Sequence, residues 1–416
     1  MAREMKNSGI EWINEIPTNW QVMPHKYIMH KQKDICEHYN GEDIISLTMG
    51  GVVVRDLTAG GKMPTSFDGY QYVEPEDLLM CLFDIDVTPR CVGVVHNYGL
   101  TSPAYSRFKV HDGYHNAYYD YLLRYIDDEK IFLHLAKNLR SSLTETDFGA
   151  IPTIVPPYSE QKNIADFLDH TCSEIDAVIE KTKATIEEYK KLKQSVITEA
   201  VTKGIHSDCK MVRTEYEWIG EIPSHWKAIK CKWLLDERKE RSEDGSEEPL
   251  SMSQKFGLIP TKEMDMIPNM AASFVGAKLV HTGDLVFNKL KAHLGVFAVS
   301  KYDGLVSPDY AVYYPTGLAD VKYLEYLFKT PQYIAEFRKK SSGVGAGLTR
   351  LYTGDLFSIY CSLPPLEEQK EIIDYLNKKC AEMDTLIAKK TALLEEMENY
   401  KKSVIYEYVT GKKQVQ

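Results

Sequence analysis

Apolar residues recur every three to four positions through two long stretches of this chain. In the first they fall at Leu168, Cys172, Ile175, Ile179, Ile186, Tyr189 and Val196. In the second they fall at Leu376, Cys380, Met383, Ile387, Leu394, Met397 and Val404. This is the heptad pattern of a helix with one apolar seam, suited to face another helix. Thr182 and Lys390 interrupt it at one equivalent place. Pro156-Pro157 and Pro364-Pro365 open the two stretches, and neither pair can continue a preceding element. Acidic Glu160 and Glu367-Glu368 suit a first turn near the positive dipole end. No Gly or Pro follows until Gly204 and Gly411. The pattern predicts two helices of about 40 residues, each roughly 60 Å long at ~1.5 Å per residue.

The stretches are copies. At a constant offset of 208, 23 of the 48 positions from 156 to 203 are identical. They include Glu160-Gln161-Lys162 against Glu368-Gln369-Lys370, Asp176 against Asp384, and Ser195-Val196-Ile197 against Ser403-Val404-Ile405. A shorter signature repeats 206 positions apart: Glu11-Trp-Ile-Asn-Glu-Ile-Pro-Thr-Asn-Trp20 and Glu217-Trp-Ile-Gly-Glu-Ile-Pro-Ser-His-Trp226. Its tryptophans and prolines predict a packed turn that anchors the start of a domain. Between signature and helix the likeness is looser. Gly99-Leu-Thr-Ser-Pro103-Ala-Tyr105 echoes Gly304-Leu-Val-Ser-Pro308-Asp-Tyr310.

Short β-rich runs such as 92–95, 285–287 and 311–314 lie between turn residues. Helical patterns cover 118–126, 130–139, 321–328 and 332–340. The expected fold class is therefore α+β: two globular mixed α/β domains separated by two long helices that form an antiparallel coiled coil, a pseudo-two-fold internal repeat. The boundaries are 1–155, 156–205, 206–363 and 364–416. The antiparallel sense follows from geometry. A compact domain of ~155 residues has neighbouring termini and a radius of gyration near 15 Å. Parallel helices would require the second domain to span roughly 60 Å.

Composition changes this picture little. The chain has 416 residues, 44% hydrophobic and 26% charged, enough for real cores. No apolar run approaches the ~20 residues of a membrane helix. The eight cysteines include no Cys-x-x-Cys pair, so the expectation is a reduced, cytoplasmic protein without a zinc site.

Charge matters more. The net charge is −10. Residues 1–155 carry 14 basic and 21 acidic side chains, residues 206–363 carry 20 of each. Any contact with nucleic acid must come from local clusters or from charge lent by a partner.

Catalytic motifs fail on their chemistry. Val155-Pro-Pro-Tyr158 is close to the Asn-Pro-Pro-Tyr of adenine methyltransferases, but Val155 cannot hydrogen-bond a flipped adenine. Gly343-Val-Gly-Ala-Gly347 lacks the flanking strand and downstream acid of a dinucleotide loop. A hairpin near phosphate suits it better. There is no phosphate-binding Gly-x-x-x-x-Gly-Lys-Ser/Thr, and the twelve histidines show no metal spacing.

The doubled layout and motifs resemble the specificity subunit of type I restriction-modification systems. The carriers are the Trp-Ile-x-Glu-Ile-Pro-x-x-Trp signature, the Gly-Leu-x-Ser-Pro-x-Tyr segment and the Pro-Pro-x-x-Glu-Gln helix start, each present twice. The resemblance implies two target-recognition domains, each reading one half of a bipartite double-stranded DNA target. It implies helices that set the spacing and dock two modification (methyltransferase) subunits. Restriction (endonuclease/translocase) subunits would join them. S-adenosylmethionine, ATP and Mg would sit on those partners, with no cofactor and no catalysis on this chain. Asn14 departs from the usual Gly of the first signature, and the first repeat lacks a Gly-rich loop near Arg140–Thr144.

Base reading needs polar side chains at groove depth, and phosphate contact needs cations or backbone N–H groups. The candidates in the first domain are Arg55, Lys62, Arg90, Asn97, Arg107 and Arg140. In the second they are Lys255, Asn288, Lys289, Lys291, His293, Lys340 and Arg350. The main alternative is a protein-binding coiled-coil adaptor that reads no DNA. Two globes with different loops count against it, because a spacer has no use for different ends. A self-contained methyltransferase or nuclease is disfavoured by the missing motifs.

Overall fold

A computed structural model describes residues 3–58, 64–88, 90–136, 141–206, 208–253, 256–264, 273–343 and 349–415. The first globe centres on an antiparallel sheet of β1 (Met29–Gln32), β2 (Leu78–Met80), β3 (Val92–Val94) and β4 (Ser106–Val110), in the order β1-β4-β2-β3. α1 (Asn116–Asp128) packs on it and leads towards the long helix α2 (Tyr158–Lys203). The second globe repeats the plan. β5 (Leu235–Glu237), β6 (Leu285–Asn288), β7 (Phe297–Val299) and β8 (Tyr310–Pro315) form the sheet β5-β8-β6-β7. α3 (Val321–Phe328) and the long helix α4 (Leu366–Val409) complete it. The α+β class, the doubled topology and the two long helices agree with the sequence expectation.

The chain divides into two compact units, and neither is a continuous domain plus its own helix. The first joins Met1–Lys183 to Ala392–Gln416, and the second is Ala184–Thr391. Each globe thus rests on the start of one long helix and the end of the other.

In the first unit Trp20, Tyr118, Phe148, Ile164 and Leu168 share one core with Val404 and Val409. Phe167 lies 4.3 Å from Tyr408 by ring centroids, and Lys401 holds Asp176 at 2.7 Å. Positions rise along α2 as they fall along α4, so the two segments run antiparallel.

The second unit repeats this packing with the roles of the helices exchanged. Trp226, Phe287, Phe297, Phe328 and Leu376 share a core with Val201. Lys193 holds Asp384 at 2.6 Å. Adding 208 to Asp176 gives Asp384, and adding 208 to Lys193 gives Lys401. One ion pair is therefore made twice, as a repeat with exchanged helices requires.

Three local devices fix where globe meets helix. Trp20 donates its indole N–H to Glu160 at 2.8 Å, and Trp226 does the same to Glu368 at 3.1 Å. Buried Gln161 accepts from the backbone N–H of His115 at 2.8 Å and donates to the Pro156 carbonyl. Gln369 accepts likewise from the Asp320 N–H and donates to Pro364. Tyr118 donates to the Val409 carbonyl, and Tyr323 to that of Val201. Each of these polar groups would be costly to bury unpaired.

Asn14 stands at φ +60 where the second signature has Gly220 at φ +74. Asn tolerates that left-handed position better than other side chains, so the departure keeps the turn. Gly411 ends α4 at φ +72, and a Cβ there would lie 2.6 Å from Pro17. Only Gly fits both demands.

A candidate nucleic-acid interface

In each unit the central sheet ends in a loop between its second and third strands. The loops start from equivalent frames. The Leu143 N–H donates to the Leu82 carbonyl at 2.8 Å, and the Leu351 N–H donates to the Lys289 carbonyl at 3.0 Å. From there the chemistry parts.

Residues 83–88 of the first unit read Phe-Asp-Ile-Asp-Val-Thr, with Val87 74% exposed. Residues 289–294 of the second read Lys-Leu-Lys-Ala-His-Leu. One loop is acidic and apolar, and the other is basic.

The second unit brings most of its sequence candidates together. Asn288 ends β6 opposite Tyr310 of β8. Lys289 follows, half-buried, 3.5 Å from the Pro308 carbonyl. Lys291 is exposed just before the 3-10 turn Ala292–Leu294. His293 lies 3.5 Å from the Thr349 hydroxyl, on a hairpin that pairs Ser342–Gly343 with Thr349–Arg350. Arg350 donates to Asp309 at 2.8 Å. Burial, then the neighbouring charges of Lys278 and Arg350, holds the Lys289 ammonium below its ordinary pKa. Asp309, paired with Arg350, and Glu237, paired with Lys278, offset part of this repulsion. A cleft of about 440 Å³ opens beside them, lined by Asn288, Leu290, Ser307, Asp309 and Tyr310 among others. Lys340 ends the helix Pro331–Lys340 and is half-buried.

The first unit is different. Asn97 is exposed, and the adjoining Tyr98 stacks on Tyr72 at 5.9 Å. Arg90 is half-buried, donates to the Met49 carbonyl at 3.1 Å and pairs with Asp128 at 3.5 Å. Arg55 is half-buried and engaged. Lys62, Arg140 and Lys255 lie outside the described residues, as does most of the Gly343–Gly347 loop.

Arg107 is a correction. It is only 3% exposed, with its guanidinium 2.5 Å from buried Asp77 and donating to the Tyr72 carbonyl at 2.9 Å. It neutralises a buried carboxylate and cannot reach DNA. Alternation along β4 gave no warning, since it sets Arg107 with exposed Lys109 on the face opposite buried Phe108.

Sequence reasoning also missed the real task of Glu160, Gln161 and their repeats, which is to bond the globe to the helix start. A larger cleft in the first unit, about 880 Å³, is lined in part by Asp120, Tyr121, Arg124 and Asp169. These belong to the frame. The Asp120–Arg124 pair recurs as Glu325–Lys329, and the Tyr121–Asp169 hydrogen bond recurs as Tyr326–Asn377.

Among the described residues no helix is long and apolar enough to cross a membrane.

Comparisons with known proteins bear on the kinship and the fold of the chain. Residues 269–396 match the family described as "type I restriction modification DNA specificity domain". The chain is 29% identical over 314 residues to a Methanocaldococcus jannaschii protein assigned as the specificity subunit of the type I restriction enzyme MjaX, covering 70% of this chain and 67% of that protein. It is 26% identical over 281 residues to the MjaVIII specificity subunit of the same organism, covering 64% of this chain and 63% of that one. The chain thus spans about two thirds of the length of these relatives.

Among solved structures, a chain from work on complex assembly and conformational transition of a type I restriction-modification system matches with a TM-score of 0.70 at 13% identity, over 96% of this chain and 99% of that one. The HsdS subunit from Thermoanaerobacter tengcongensis matches at 0.52 and 14%, over 96% and 98%. At such identities these two speak for the fold. In its sequence matches and its doubled motifs the chain is similar to type I restriction-modification specificity subunits.

Proposed function

We propose that the chain reads DNA sequence for a type I restriction-modification complex, one half of a bipartite target through each globe. The observation that carries this reading is one frame made twice, with opposite chemistry at the same sheet end. A frame that must dock the same machinery twice stays constant. A surface that must read two different base sequences diverges. The basic set around Asn288, Lys289, Lys291 and Arg350 suits phosphate and base-edge contact. Asp84 and Asp86 of the first loop suit acceptance from exocyclic amino groups of bases.

The long helices serve as spacer and as docking platform for two modification subunits. Exposed apolar residues support the platform. Val178 and Leu386 are a repeat pair, as are Leu192 and Tyr400, and each is at least 42% exposed. Catalysis and the S-adenosylmethionine, ATP and Mg it needs are assigned to the partner subunits, with restriction subunits completing the complex.

The test is a loop exchange. Residues 289–294 are replaced by an unrelated loop of equal length, the chain is expressed with its modification subunit, and methylated sites are sequenced. One half-site should change while the other half-site and the spacer stay. Loss of neither half-site, or change in both, would sink the reading.

A further inference from the structure

Tyr27 and Trp233 occupy matching places in the two repeats, 206 positions apart, at the ends of the 3-10 turns His25–Tyr27 and Cys231–Trp233. Their rings are 58% and 59% exposed, and neither belongs to a core. A lysine lies over each, Lys26 at 5.2 Å and Lys232 at 4.7 Å from the ring centroid. One exposed aromatic ring is ordinary. The same lysine–aromatic pair exposed in both units is a repeated surface, made of residues that the folding of neither unit requires.

Its position matters as much as its repetition. In the first unit β4 runs from Ser106, paired with Met80 beside the variable loop, to Val110, paired with Met29 beside Tyr27. In the second, β8 runs from Tyr310, paired with Asn288, to Pro315, paired with Leu235 beside Trp233. The aromatic turns therefore sit at the opposite end of each sheet from the diverged loops, about 15–20 Å away along a strand. The Thr316 hydroxyl donates to the Trp233 carbonyl at 2.7 Å and holds that turn in place. A rigid, exposed ring with a cation beside it is the kind of anchor that protein interfaces use, filling an apolar socket with an acidic rim.

A surface that meets different base sequences in the two halves has to diverge in chemistry, and these two keep one chemistry, an exposed aromatic ring under a lysine. We infer that Tyr27 and Trp233, with Lys26 and Lys232, are paired docking pins for one protein partner bound twice, whose socket is apolar and edged with carboxylates. Resting on the function proposed above, that partner is the modification subunit, and each copy engages one globe at this turn as well as the helices.

The full-length chain tests this by titration with its modification subunit and native mass measurement. Wild type should take up two subunits. Tyr27→Ala should weaken one of the two by at least about tenfold, Trp233→Ala the other, and the double variant both. Lys26→Glu and Lys232→Glu keep the rings and should act in the same direction, which separates docking from any local loss of fold. If every variant still binds two subunits with wild-type affinity, the pins are overturned and the functional reading stands. If subunit binding is unchanged and DNA affinity falls instead, the turns contact DNA and the proposal is equally overturned. If wild type binds no modification subunit, the functional reading fails, and the pins fail with it.

Discussion

Trp20 donates its indole N–H to the carboxylate of Glu160, 140 residues further along the chain. Arg3 pairs with the same carboxylate and sits over the Trp20 ring at 5.3 Å. The contact ties the entry of the first globe to the first turn of α2. A hydrogen bond to a charged acceptor contributes about 1.5–3 kcal/mol. Glu160→Ala should lower the stability of the first unit by that amount, seen as an earlier first transition in urea. Glu368→Ala should act in the same way on the second unit.

Buried acids are neutralised in both units, from different strands. Arg107 on β4 serves Asp77, whereas Arg238, just after β5, serves Asp284 through two hydrogen bonds of 2.6 and 2.8 Å. Gln32 is the cross-strand partner of Arg107, and the Arg238 N–H donates to the Val312 carbonyl. The two repeats thus place one arginine at alternative ends of the same cross-strand pair. Arg107→Val should cost roughly 3–5 kcal/mol by stranding Asp77. Adding Gln32→Arg, which copies the second repeat, should recover most of it. A urea double-mutant cycle without recovery would refute the equivalence.

On the proposed reading, Lys289, Lys291 and Arg350 meet phosphate. Replacing any one with Ala should weaken binding of the assembled complex on every sequence alike. The slope of log K against log salt should become shallower by about 0.9 for each phosphate that is no longer neutralised. Filter binding at several salt concentrations reads this directly. Arg107→Val should leave the slope alone.

His25 gives the first unit an acid sensitivity. It is fully buried, and desolvation lowers its pKa from 6.5 to about 4, against a backbone hydrogen bond with Phe148 that raises it. The unfolded chain therefore takes up the proton first. The stability from a neutral His25 is complete above pH ~6.5, declines as pH falls towards about 4, and then levels, a change of roughly 3 kcal/mol. Raised carboxyls at Asp77, Asp120 and Asp127, each lifted mainly by desolvation, oppose the trend. The difference between wild type and His25→Cys isolates the histidine, because Cys231 fills the equivalent buried place. Their melting temperatures should converge as pH drops from 7 to 4.

The helices as spacer make a further prediction. Lengthening after Thr202 would displace buried Val201 and its hydrogen bond from Tyr323. The division between units falls at Lys183/Ala184 and Thr391/Ala392, positions related by the same 208 offset. Four residues inserted at both places add ~6 Å, close to two base pairs at ~3.4 Å each. Methylation-site sequencing should show unchanged half-sites around a longer spacer. Changed half-sites around an unchanged spacer would refute the spacer role.

Most of the frame was legible because it is written twice. The Pro-Pro starts and the Gly ends bracket α2 and α4 within two residues, while the expected boundary of 416 runs past the end of α4 at Val409. The tryptophan turn announced its packing role through composition alone. Site residues were harder. An arginine on a short strand reads the same whether it faces solvent or a buried aspartate, and Arg107 shows the difference only once its register with Gln32 is known. Tyr27 and Trp233 escaped notice because they differ in identity. Only their shared exposure and their lysines make them a pair.

The composition of the first unit also bears on its synthesis. The second unit, Ala184–Thr391, is continuous and has all its core residues once its own segment is made. The first cannot close until residues 392–415 arrive, because Val404, Ile405 and Val409 fill its core and Gly411 lies against Pro17 and Trp20. The globe that leaves the ribosome first is therefore finished last. A nascent chain stopped anywhere before α4 ends carries an open apolar face at its amino-terminal half, the kind of surface that chaperones hold and proteases find.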